Sequence, residues 1–134
     1  MASYVLDIVT PSGSIFSGPV ERLQAPGSQG SFGVLAGHAP MIAALKTGSL
    51  RLAESDGSGD RILACSGGFV EVLRDRVTVL AESAEFGDEI DFARAQAARD
   101  RASERLQESE SVDRARAEAA MTRALNRIRI AGSR

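Results

Sequence analysis

The sequence predicts a β + α protein, with an N-terminal antiparallel β-sandwich over residues 1–87 followed by a C-terminal two-helix antiparallel hairpin over residues 88–134. Three observations carry this expectation. Glycine and proline disrupt helix interiors and gather in turns, and here all four Pro and twelve of the 13 Gly lie at or before Gly87, the other being Gly132. Up to that point short β-type runs recur about every ten residues, separated by turn residues, as in a sandwich or barrel. After it the chain is dense in Ala, Arg, Glu and Gln, which are strong helix formers.

In order, the expected strands are Tyr4–Val9, Gly48–Ala53, Arg61–Cys65, Phe69–Leu73 and Val77–Ala81. Asp56-Gly57-Ser58-Gly59-Asp60 has the composition of a hairpin tip, and Arg74-Asp75-Arg76 between two Val-rich runs reads as another. Two helices are expected over Ile90–Glu110 and Asp113–Ile130, joined near Ser109 to Val112. In the second, Ala117, Met121, Ala124 and Ile128 recur at helical spacing and share one face; the first offers a smaller stripe of Ala95, Ala98, Ala102 and Leu106. Alanine lets helices approach closely but buries little area, so the hairpin should be weakly held.

Composition removes several classes of function. The chain has 134 residues, 43% hydrophobic and 25% charged, within the range of ordinary folded domains. One Cys and one His allow neither an internal disulfide nor a His/Cys zinc site. No run approaches a membrane span, and neither a secretory signal nor an Arg-rich transit peptide is visible in the first residues, so a reducing, cytoplasm-facing compartment is the default expectation. Charge is uneven but never concentrated: the sandwich half is net −3, and the helical half is net +1 although it carries ten of the 15 Arg. Neither half has the clustered positive excess that nucleic acid binding needs.

The usual catalytic groups find no partners in the sequence. His38 sits in the turn-rich Gly33-Val34-Leu35-Ala36-Gly37-His38-Ala39-Pro40, where acid/base use would need a partner such as Glu71 or Asp75, and no motif supplies one. Cys65 closes the apolar run Ile62-Leu63-Ala64 and reads as a buried small hydrophobe. Lys46-Thr47 follows Leu45 rather than Gly, so it is no phosphate-binding loop, and Ser66-Gly67-Gly68 reads as a strand-entry turn or bulge. The helices offer more. Asp91, Arg94, Ala98 and Arg101 line one side of the first helix, and Arg123 and Arg127 are one turn apart on the second. If those sides meet, guanidiniums and a carboxylate converge in a way suited to a polyphosphate and a ribose or base edge; surface ion pairs such as Asp91 with Arg94 account for the same spacing.

Four segments in register with the expected domain boundary resemble the epsilon-subunit family of the F-type ATP synthase: Gly33 to Pro40, Leu45-Lys46-Thr47-Gly48, Ser66-Gly67-Gly68-Phe69-Val70-Glu71-Val72, and Ile90-Asp91-Phe92-Ala93-Arg94-Ala95. The family usually has Pro where Ala36 stands and often at Thr47. The resemblance implies a non-catalytic rotor subunit on the cytoplasmic face of the bacterial inner membrane, peripheral and without membrane insertion. Its sandwich would bind the gamma subunit and the c-ring, with His38, Pro40 and Met41 at that interface. Its hairpin would fold down or extend along gamma toward the catalytic alpha/beta hexamer and obstruct ATP hydrolysis. The resemblance also implies a regulatory ATP, though no required cofactor: Ile90, Asp91, Arg94 and Ala95 match the family's nucleotide motif, and Glu85, Arg101, Arg123 and Arg127 occupy associated positions. A generic β-sandwich adaptor with a helical dimerisation hairpin is the alternative reading.

Overall fold

The computed structural model describes residues 2–108 and 114–132. The chain divides into two compact units, Met1–Phe86 and Gly87–Arg134. The first contains seven strands: β1 (Tyr4–Thr10), β2 (Gly13–Gly27), β3 (Gly30–Leu35), β4 (Met41–Glu54), β5 (Asp60–Val72), β6 (Arg76–Ala81) and β7 (Ala84–Phe86). They pair in the order β1-β6-β5-β4-β2-β3, β7 adds to β5, and β1 also pairs with β2. The ring β1-β6-β5-β4-β2 is therefore closed, with β3 and β7 as flanking additions. A closed ring of five strands cannot alternate direction all the way round. The odd pair is β1 with β6, which is parallel, while every other described pair is antiparallel.

Inward positions follow the two-residue period of a strand. Tyr4, Leu6 and Ile8 of β1 and Val77, Val79 and Ala81 of β6 are buried, and they join Leu23, Leu50, Leu52, Leu63, Val70 and Val72 in one core. The Tyr4 hydroxyl donates to the Val34 carbonyl at 2.8 Å across that core, which satisfies the one polar atom its ring brings inside. Burial pushes its ionisation upward.

Two differences from the sequence expectation have physical causes. Arg61–Cys65 and Phe69–Leu73 lie almost entirely in one strand, β5, running through Ser66-Gly67-Gly68. Both glycines have positive φ, and a Cβ on Gly68 would stand 2.0 Å from the Leu80 carbonyl oxygen. That kink lets β5 leave β6, its partner through Gly68–Val72, and pair with β7 through Leu63–Cys65. Strands β2 and β3 and the first half of β4 were not expected, because β2 holds Gly13, Gly18, Pro19, Pro26 and Gly27. Pro26 and Gly27 fall at a register shift against β4, and Gly18-Pro19 come just before the shift between Val20 and Arg22, where β2 passes from β1 to β3. Asp56 to Asp60 does form the β4–β5 turn, where the Asp56 carboxylate accepts the Ser58 amide at 2.9 Å, and hydrogen bonds from Ser58 hold its carboxyl below the usual range.

The second unit opens with a 3-10 turn, Gly87–Glu89, followed by α1 (Phe92–Gln107) and α2 (Arg114–Gly132). The expected junction at Ser109 to Val112, and the expected helix ends Glu110 and Asp113, lie outside the described residues. The two helices pack on each other. Ala95 and Ala102 on α1 and Ala117 and Ala124 on α2 are buried, and Ala98, Leu106, Met121 and Ile128 half-buried, as the periodicity predicts.

Candidate functional site

Each candidate position is set by local structure. Asp91 is the N-cap of α1, its carboxylate accepting the Arg94 backbone amide at 3.0 Å. A cap satisfies an orphan amide at the positive end of the helix dipole, so the Asp91–Arg94 relation is a backbone contact, not the side-chain ion pair considered from spacing. Ile90 and Ala95 are buried, and Arg94 and Arg101 project from α1 into solvent. Arg123 and Arg127, half-buried, rise one turn apart from α2. Asn126 between them is buried and accepts the Arg129 guanidinium at 2.6 Å; the sequence reading missed it because a single Asn in an Arg-rich helix carries no periodic signal. Glu85 belongs to the other unit, half-buried on β7.

His38 follows β3. Its Nδ1–H donates to the Ala39 carbonyl at 2.7 Å and its backbone amide to Leu35, so its hydrogen bonds among the described residues go to main chain and not to Glu71 or Asp75. Pro40 is exposed, and Met41, the first residue of β4, packs against the core edge. Burial raises the Cys65 thiol to about 11, which keeps it protonated and unreactive at neutral pH. Among the described residues no group of His, Cys, Asp or Glu is arranged to hold a metal ion, and no helix is long and apolar enough to cross a membrane.

A feature that the sequence reading missed lies on the outer face of the ring. Ala44 of β4 is paired with Phe69 of β5, Phe69 with Leu80 of β6, and Leu80 with Val9 of β1. Ile42, two residues from Ala44, shares the face. Ile42 is 71% exposed, Phe69 54% and Leu80 52%, so large apolar side chains stand in solvent across three adjacent strands. Isolated exposed hydrophobes are normal, but a contiguous band marks a surface that another molecule covers. Part of its signal was present in the sequence: Met41 to Leu45 is apolar at both phases of the strand period, and Phe69 and Leu80 stand at outward positions, although Glu71 and Thr78 share that face beside them.

Residues 3–87 match the family described as ATP synthase, Delta/Epsilon chain, beta-sandwich domain, and residues 88–132 match its long alpha-helix domain. The chain belongs to the delta/epsilon chain family of the ATP synthase. It is 44% identical over 133 residues to the ATP synthase epsilon chain of Bacillus pumilus, covering 99% of this chain and 100% of that one. It is 51% identical over 128 residues to the epsilon chain of Desulfosudis oleivorans, covering 96% of each. Among solved structures it superposes with TM-score 0.78 and 26% identity on a chain of the Euglena gracilis mitochondrial ATP synthase (OSCP/F1/c-ring), covering 91% of this chain and 77% of that one. A chain of the Tetrahymena thermophila mitochondrial ATP synthase central stalk and c-ring, 14% identical with TM-score 0.60, shares the fold.

The state of Cys65 gives the first prediction. A thiol whose folded value lies near 11, above its ordinary value near 9, contributes stability that is full below about pH 9 and is lost as pH rises toward 11. Native protein at pH 8 should therefore resist iodoacetamide and react fully only in denaturant. Rapid labelling of the native chain would contradict the burial of this side chain.

Proposed function

We propose that this chain is a non-catalytic rotor subunit of the ATP synthase central stalk, which joins gamma to the c-ring through its sandwich and restrains ATP hydrolysis through its helices. The observation that carries this reading is the outer apolar band of Ile42, Phe69 and Leu80, whose β4 member lies four residues along the chain from His38. A surface of this kind, near a turn that the family resemblance implies for the gamma and c-ring interface, serves assembly and not catalysis. The assemblies containing its structural neighbours, one named for F1 and the c-ring and the other for the central stalk and c-ring, support the same placement. As part of that complex the chain works at the cytoplasmic face of the bacterial inner membrane without entering it.

Regulation belongs to the helical unit. Its packed faces are built largely from alanine, so little apolar area opposes its rearrangement. When it extends along gamma, Arg114, Arg116, Arg123, Arg127 and Arg129 of α2 meet acidic surfaces of the alpha/beta hexamer. When it is folded, Ile90, Asp91, Arg94, Ala95, Arg101, Arg123 and Arg127 hold ATP. A ligand shifts a two-state equilibrium only by its differential affinity, so ATP favours the folded state that gathers these arginines.

Two measurements test the two halves. Phe69→Ser combined with Leu80→Ser should leave the fold intact, since both side chains are outward, and weaken gamma binding by about 2 kcal/mol or more. Unchanged gamma affinity, with tight self-association of the chain, would favour the dimerising adaptor instead. Calorimetric titration of the isolated chain with ATP should give binding that Arg94→Ala or Arg123→Ala weakens by about 1.5 to 3 kcal/mol. Asp91→Asn, which preserves the helix cap, reports whether that carboxylate receives a donor from the nucleotide. A wild-type chain that does not bind ATP at millimolar concentration would end the sensing reading.

A further inference from the structure

The strand that ends the sandwich is the shortest in the fold. β7 has three residues, paired with β5 as Ala84 with Cys65, Glu85 with Ala64 and Phe86 with Leu63, and the division between the two units falls immediately after Phe86. So short a strand, paired on one side, is held poorly by its backbone alone. Its last side chain supplies the missing hold. The Phe86 ring is buried in the sandwich core, meets the Phe16 ring edge-on at 6.4 Å between centroids, and lies under the Arg61 guanidinium carbon at 3.8 Å from its centre. Arg61 is itself steadied by Glu54, whose carboxylate lies 3.6 Å from its guanidinium. A cation above an aromatic face is attracted by the ring quadrupole, and one that covers a core ring also excludes water from it.

We infer that Arg61 clamps Phe86 and so fixes the hinge of the molecule: β7 stays with the sandwich, and rearrangement of the helical unit begins at Gly87. Without the clamp β7 would peel from β5 and add three residues to the tether, lengthening its reach by about 10 Å. The clamp thus sets how far the helices can travel. That consequence rests on the mobile hairpin of the proposed function; the contact between Arg61 and Phe86 does not.

Hydrogen–deuterium exchange of the full chain tests the clamp. In Arg61→Ala, amides of the segment 82–90 should exchange about fivefold faster, while β1 and β6 keep their protection and Arg61→Lys retains most of the wild-type protection. Phe86→Leu keeps an apolar side chain but removes the ring, and adding Arg61→Ala to it should bring no further acceleration beyond that of Phe86→Leu alone. Unchanged exchange in Arg61→Ala, equal acceleration throughout the sandwich, or independent effects of the two substitutions would each overturn the clamp. Exchange is read on the isolated chain, so loss of the clamp leaves the proposed function standing, and a chain that fails to inhibit hydrolysis leaves the clamp standing.

Discussion

Closure of an odd ring of strands is the constraint on which the rest of the first unit depends. Five strands joined edge to edge remove the open edges that a sheet of this size would otherwise present, and the geometric consequence is one parallel pair, β1 with β6. Once the ring is closed, inward positions must fill it, which Leu6, Ile8, Leu50, Leu52, Leu63, Val70 and Val79 do with no exposure at all. The outward positions are then free of any duty in folding. That Phe69, Leu80 and Ile42 nevertheless occupy them needs a separate reason, which the proposed attachment to the rotor supplies.

The two units differ in what holds them. The sandwich is closed by long-range strand pairing around a core of large aliphatic side chains, whereas the helical unit presents four fully buried alanines where α1 and α2 face each other. Burial stabilises in proportion to apolar area, so the helices gain much less per contact than the strands. The proposed function asks a subunit to stay attached and also change conformation, and that inequality serves both. The junction sharpens it, since the Phe86 ring is packed as core and Gly87, the next residue, opens a new unit.

The sequence made the architecture legible where local chemistry and tertiary role agreed. The β-type runs Tyr4–Val9 and Val77–Ala81 fold as β1 and β6, and the small-residue stripes of the helices are buried on their predicted faces. It failed at β2, where Pro19, Pro26 and their neighbouring glycines read as loop although they lie within one long strand, at or next to its register shifts. Site chemistry was legible as residue type but not as contact. Asp91 was singled out as a carboxylate among arginines, and its visible work is to cap α1. The clamp of Arg61 on Phe86 joins residues 25 apart in sequence through strand pairing, so no spacing rule could have found it.

The proposed function puts attachment on the outer face of the sandwich and restraint in the arginine-bearing helices. Its most direct test is the chain ended after Gly87, assembled with gamma and the catalytic hexamer, with gamma retention and ATP hydrolysis measured in the same preparation. The shortened chain should be retained by gamma as well as the full chain while hydrolysis is released from inhibition. Loss of gamma binding on removal of the helices, or hydrolysis as restrained as with the full chain, would contradict it.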